Sequence, residues 1–176
     1  MEKEIEKSLV TILIPNIKGQ LAKISVFCAE NNLNISRLTL SAADGNDKIQ
    51  KIIAYLEGDR KNVNDMCKKI LEIDTVLKVT NFQTNGEYIE KEICFIKILN
   101  KNSKLPMITN IVSDHSGKTI FGNNKITVFR IEDSEENVNA FVSKAIDITK
   151  DIEIARSGMV AIAINESIDS IIDVDL

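Results

Sequence analysis

The sequence predicts an α+β protein made of two tandem βαββαβ units. Three observations predict it. The order strand, helix, hairpin, helix, strand is read once from about Ser8 to Phe82 and again from about Glu87 to Ile164. Within each copy, apolar residues switch between the alternation of strands and the i, i+3, i+4 spacing of helices. Between the copies lies Phe82-Gln-Thr-Asn-Gly86, rich in turn residues and poor in apolar ones. The expected division is residues 1–82, a linker at 83–87, and residues 88–176.

The elements follow in order. Leu9 to Ile14 is a short apolar run stopped by Pro15, as a central strand requires. The next helix sets Leu21, Ile24, Phe27 and Cys28 on one face and ends near Asn31-Asn32. Asn34 to Ala42 and Ile49 to Leu56 flank the turn Asp44-Gly45-Asn46 and read as a hairpin. Val63, Met66, Cys67, Ile70 and Leu71 mark an amphipathic helix, and Val76 to Asn81 closes the unit as a strand.

In the second copy, Ile93 to Leu99 is the first strand. Ser103 is the expected cap of a helix with Pro106 in its first turn and Leu105, Ile108, Ile111 and Val112 on its buried face. Thr119 to Phe121 and Lys125 to Ile131 form a hairpin around Gly122-Asn123-Asn124. Ser134 caps a last helix with Val138, Phe141, Val142, Ala145 and Ile146 inward. Two strand segments, Ile152 to Ala155 and Met159 to Ile164, flank Arg156-Ser157-Gly158. Two helices on one face of an antiparallel sheet make each unit a ferredoxin-like sandwich. The exposed edges of such small sheets invite pairing, so a dimer is expected.

Composition excludes several classes. A net charge of −4 argues against an electrostatic nucleic-acid surface. The strands Leu9–Leu13 and Ile49–Ile53 carry no aromatic platform, apart from Tyr55 beyond the second. No apolar run reaches the ~18 residues of a membrane span. The charged start lacks the apolar core of a signal peptide, so a cytoplasmic protein is expected. Cys28, Cys67 and Cys94 form no CxxC pair and read as buried thiols, and His115 is the only histidine, so no metal site is expected. That histidine lies in Ser113-Asp114-His115-Ser116-Gly117, which reads as a solvated polar loop. No nucleophile–base pair, Walker motif or GxGxxG stands out, and no catalytic residue is assigned.

The sharpest feature is Pro15-Asn16-Ile17-Lys18-Gly19, which leads a strand straight into a helix. A helix N-terminus reached through such a turn offers free N–H groups and a positive dipole end to a small carboxylate. The alternative is that Gly19 only permits the turn and Asn16 only caps the helix. An amino group beside such a carboxylate would need its own acceptors, and Asn34 is placed to supply one across a dimer seam. The chain reads as a sensor of small molecules before a catalyst.

Four stretches add a resemblance. They are Asn16-Ile-Lys-Gly19-Gln-Leu21, Asn34-Ile-Ser-Arg-Leu-Thr-Leu40, Glu90-Lys-Glu-Ile-Cys-Phe-Ile-Lys97 and, strongest, Glu153-Ile-Ala-Arg-Ser-Gly-Met-Val-Ala161. Through them the first unit resembles an ACT domain. From about Leu9 to Ala163 the chain resembles the family of small regulatory subunits of acetolactate synthase (acetohydroxyacid synthase).

The resemblance implies a subunit with no catalysis of its own and no cofactor. Its catalytic partner, the large subunit, would carry thiamine diphosphate, Mg and FAD. The small subunit would activate that partner and confer feedback inhibition by valine in branched-chain amino acid biosynthesis. Its ACT domains would pair into a homodimer and bind the amino acid at the seam. By the family pattern, Asn16 and the backbone around Gly19 hold the ligand carboxylate. Ile17, Lys18, Gln20 and Leu21 complete the loop, and Asn34 with Ile35 comes from the neighbouring subunit. Lys18 stands where the family usually has proline or a small residue. An extra acidic tail, Ser167 to Leu176, carries Ile168, Ile171 and Ile172 at helical spacing; it reads as a frayed end or as a docking segment. A free-standing tandem ACT regulator acting through other proteins is the alternative function.

Overall fold

The computed structural model describes residues 6–84, 87–101 and 103–164. The tail from Ser167 lies outside the described residues. Residues 90–160 make one compact unit, and the segments before and after them make the other.

The first sheet is built from β1 (Glu6–Pro15), β2 (Asn34–Ala42), β3 (Ile49–Gly58) and β4 (Lys78–Asn81), in the order β2-β3-β1-β4. Helices α1 (Gln20–Glu30) and α2 (Arg60–Leu71) complete it. The second sheet uses β5 (Tyr88–Leu99), β6 (Lys118–Gly122), β7 (Ile126–Asp133) and β8 (Ile152–Ala163), in the order β6-β7-β5-β8, with α3 (Leu105–Asp114) and α4 (Glu135–Ile148). Both units are therefore ferredoxin-like, and the α+β reading holds. In each, the first strand is central and the second lies at an edge.

The alternation that predicts the strands also sets the cores. Val10, Ile12 and Ile14 of β1 point to the helices and join Ile24, Ile52 and Ile70. Cys94, Ile96 and Ile98 do the same in β5 and meet Ile108, Phe129 and Phe141. Fully burying each such side chain contributes roughly 1.5–3 kcal/mol.

Several local expectations need correction. Leu71 is on the inward spacing of α2 yet is 51% exposed, because the helix ends there. Phe82, which opens the turn-rich stretch between the copies, packs with the first unit: it is 3% exposed and its N–H donates to the Leu9 carbonyl at 3.0 Å. β3 runs two residues past the expected Leu56, to Gly58. Ser103 does not cap α3; Lys104 occupies that position and no side chain caps the helix. Arg156-Ser157-Gly158 does not break the last strand, since Gly158 takes φ 75° and β8 runs on through it. Ser134 does cap α4, accepting from the Asn137 N–H at 3.3 Å. Burial raises the pKa of the neighbouring Asp133 carboxyl. Hydrogen bonds from the Ser134 N–H, Asn137 and Lys91 outweigh it, and the carboxyl ends below its usual range.

The Asp114 to Gly117 stretch is a helix stop rather than a solvated loop. Ser116 takes φ 54°, its N–H donates to the Ser113 carbonyl at 3.0 Å, and Gly117 donates to Val112 at 2.8 Å. This is a Schellman cap. It repeats the end of α1, where Asn32 takes φ 57° and Leu33 donates to Cys28 at 3.0 Å. His115 is half-buried and meets Phe141 edge-to-face at 5.4 Å.

Adjacent substitutions in this cap are expected to act in opposite directions. Ser116→Gly relieves a left-handed serine and should stabilise by roughly 0.5–1 kcal/mol. A Cβ on Gly117 would lie 2.7 Å from a Val112 methyl, 2.9 Å from the Val112 carbonyl oxygen and 3.0 Å from that of Arg130. Two of these are backbone atoms, so Gly117→Ala should destabilise by about 3 kcal/mol. Urea unfolding of the two variants checks both signs.

Candidate functional site

The β1–α1 loop is shaped by two local features. The Ile17 N–H turns back to the Pro15 carbonyl at 2.8 Å, and Gly19 takes φ 87°, ψ −3° as the residue preceding α1. That left-handed conformation suits glycine because it has no Cβ. No side chain caps α1, and its first turn carries no acidic residue. The Gln20 N–H reaches the Ile17 carbonyl at 3.3 Å and the Lys23 N–H reaches Gly19 at 3.0 Å. The intervening N–H groups of Leu21 and Ala22 have no intrahelical acceptor, as geometry demands of a first turn.

Asn16 is not the helix cap. Its N–H donates to the Lys48 carbonyl at 2.7 Å, and its Nδ2 donates to the Asp47 carbonyl at 2.8 Å. It latches the loop to the turn before β3. The second unit has the same latch: the Asn100 N–H donates to Lys125 at 2.8 Å, and its Nδ2 donates to the Asn123 carbonyl. Ile17 stands out at 59% exposure, Lys18 is exposed, and nothing lies within 4 Å of where a Cβ on Gly19 would project. Gln20 turns inward. Its side chain is buried and its Oε1 accepts from Thr75 Oγ1 at 2.7 Å. Leu21 packs on the core. The loop thus presents Ile17, Lys18, Gly19 and two free amides, while Gln20 and Leu21 serve the fold.

Asn34 and Ile35 are not brought to this loop within one chain. Asn34 pairs with Glu57 of β3, whereas Pro15 pairs with Ile49. Eight residues of β3 separate those positions, or about 26 Å at ~3.3 Å per residue. Asn34 instead donates from Nδ2 to Glu57 at 2.8 Å. Hydrogen bonds from Asn34 first, then Ser36, hold the Glu57 carboxyl below its usual range. β2 is an edge strand with a bulge between Ile35 and Arg37. Leu38 and Leu40 remain over a third exposed along it.

Sequence reasoning missed the ion pair at the centre of the Glu153–Ala161 stretch. Arg156 of β8 donates Nε to Glu92 Oε1 at 2.7 Å and Nη2 to Oε2 at 2.5 Å, and Nη1 to Asn139 of α4 at 2.8 Å. Glu92 is 1% exposed. An acidic residue on the same alternation as the inward Cys94, Ile96 and Ile98 of β5 was the available signal. Burial pushes all three thiols up, Cys67 to about 11 with a further contribution from Cys28, so they stay protonated at neutral pH. Among the described residues no cluster of three His, Cys, Asp or Glu could hold a metal ion, and no helix is long and apolar enough to cross a membrane.

Known proteins resemble this arrangement along its length. Residues 91–165 match the family described as the small subunit of acetolactate synthase. An acetolactate synthase small subunit from Buchnera aphidicola is 26% identical over 154 residues, covering 88% of this chain and 96% of the relative. The acetolactate synthase isozyme 3 small subunit of Escherichia coli is 22% identical, covering 92% and 98%. The crystal structure of the acetolactate synthase small subunit from Thermotoga maritima superposes with a TM-score of 0.76 at 26% identity, covering 90% of this chain and 97% of that one. It is the acetolactate synthase small subunit that this chain resembles over nearly its whole length, in sequence and in fold.

Proposed function

We propose that this chain is the non-catalytic regulatory subunit of an acetolactate synthase and that it senses a branched-chain amino acid, valine first, at an ACT–ACT seam. One observation carries the ligand site. The α1 N-terminus is open behind Gly19, and the free edge β2 can deliver a second copy's Asn34 to it. In an antiparallel two-fold pair of β2 strands centred on Leu38, Asn34 of the second copy lies opposite Ala42. Ala42 pairs with Gln50, and Gln50 with Ile14, two residues from Asn16. Such a pairing would bring the second copy's Asn34 to the loop's end of the sheet, which supports the seam as the site.

In that site the amides of Leu21 and Ala22 and the helix dipole receive the carboxylate, for roughly 0.3–2 kcal/mol. The Asn16 Oδ1 and the second copy's Asn34 accept from the ammonium, and Ile17 and Ile35 line the apolar side chain. Lys18 adds a positive charge at the loop. The amino acid acts by binding one arrangement of the dimer better than another, and that difference biases the catalytic partner. The partner is the large subunit, which supplies thiamine diphosphate, Mg and FAD for the chemistry. The location that fits this reading is the cytoplasm.

Calorimetric titration of the purified chain with valine, leucine and isoleucine tests the proposal. Saturable binding of one of them is the expected result. No heat from any of the three, from a folded dimer, overturns the sensor. Failure of the chain to co-purify with, or activate, a catalytic acetolactate synthase subunit overturns the regulatory role separately.

A further inference from the structure

We infer that the groove between α2 and β4 is a docking site for this chain's own acidic segment, residues 166–176. The groove has a volume of about 350 Å³. Cys67, Lys68 and Leu71 of α2 line one wall and Val79 of β4 the other, with Thr84 at the end. Cys67, Lys68 and Leu71 follow Asn64 at i+3, i+4 and i+7, so they share one face of the helix. Val63, Met66 and Ile70 occupy the face turned to the core. α2 therefore carries a second, partly apolar stripe beside its buried one, and Leu71 is the exposed end of it. Lys68 stands on this stripe, and Lys61 lies two turns before it.

Reach, charge and spacing select the occupant. The Ile164 N–H donates to the Glu87 carbonyl at 3.0 Å, and Glu87 is three residues from Thr84. Three residues span at most about 11 Å, so the chain passes Ile164 close to the end of the groove. From there, seven residues to Ile171 extend up to about 24 Å, enough to follow the groove along α2. The segment carries Glu166, Asp169, Asp173 and Asp175 and no basic residue, opposite in sign to Lys61 and Lys68. Its Ile168, Ile171 and Ile172 repeat the i, i+3, i+4 spacing of the stripe they would meet. Docking there also covers β4, the outermost strand of its sheet, as exposed edges require.

Disulfide trapping in the full chain tests this, in a Cys67→Ser background where Cys28 and Cys94 are buried. Leu71→Cys combined with Ile171→Cys is oxidised with diamide, and the cross-linked peptides are identified by mass spectrometry. The control combines Ile171→Cys with Val26→Cys, exposed on α1 of the same unit. Docking raises the local concentration above that of a tether alone, so the groove pair is expected to close roughly 10-fold faster than the control. The product should run as a single chain of 19.6 kDa on a non-reducing gel. Equal rates for the two pairs overturn the inference and leave the groove to another protein. A product found only at twice that mass also overturns it, since the segment then enters a second copy. As a non-covalent check, deleting residues 166–176 should speed iodoacetamide labelling of Leu71→Cys several-fold. An unchanged labelling rate overturns the inference as well.

Discussion

Arg156→Ala is expected to cost the second unit about 3–5 kcal/mol of stability, the usual penalty for breaking a buried ion pair by removing one partner. Glu92 is 1% exposed, and both of its oxygens accept from the same guanidinium. Without Arg156, that carboxylate stays in the core with its counter-charge gone. The fork also reaches Asn139 of α4, so one side chain ties β5, β8 and a helix together. Lysine cannot reproduce this geometry because an ammonium is a point donor rather than a planar fork, so Arg156→Lys should recover only part of the loss. The double change Glu92→Leu with Arg156→Met removes both charges, and should lie within about 1–2 kcal/mol of the unsubstituted chain. Urea unfolding of both single variants and the double variant supplies the cycle. An Arg156→Ala chain as stable as the original would show that the pair contributes nothing net.

Gly19→Asp is expected to abolish amino-acid binding while leaving the fold intact. The backbone there has φ 87°, a region that aspartate tolerates better than most residues at a cost of about 1–2 kcal/mol. No atom lies within 4 Å of the added Cβ, so the side chain has room. It places a carboxylate at the mouth of the α1 N-terminus, where the ligand's own carboxylate is proposed to sit. Like charges brought together in an interface cost several kcal/mol. A loss of 100-fold or more in affinity, about 2.7 kcal/mol, is therefore expected by calorimetry. Gly19→Asn has nearly the same size and no charge, and should lose much less. Circular dichroism verifies the fold of both. Unchanged affinity in Gly19→Asp would move the ligand elsewhere.

The sequence by itself determined the order of elements, both hairpins and most of the inward faces, Leu71 excepted. Those depend on spacing along a few residues: alternation in β1, the four-residue steps of α2, glycine and asparagine at turns. The loop proposed to receive a carboxylate was also legible in it, because Gly19 and the bare first turn of α1 are local. Tertiary structure decided what pairs of distant residues do. Gln20 belongs to the loop by sequence, yet Thr75, 55 positions away, draws its side chain inward. Asn16 looks like a cap and is instead held by the carbonyls of Asp47 and Lys48. Arg156 and Glu92, 64 positions apart, become partners only because β5 and β8 are neighbours. Whether Asn34 can meet the loop depends on the register of β3 and on the free side of β2. The physical reason is common to all of these. Periodicity and turn chemistry act over a few residues and leave a signature in the chain, whereas a hydrogen bond across a sheet depends on which strands the fold sets side by side.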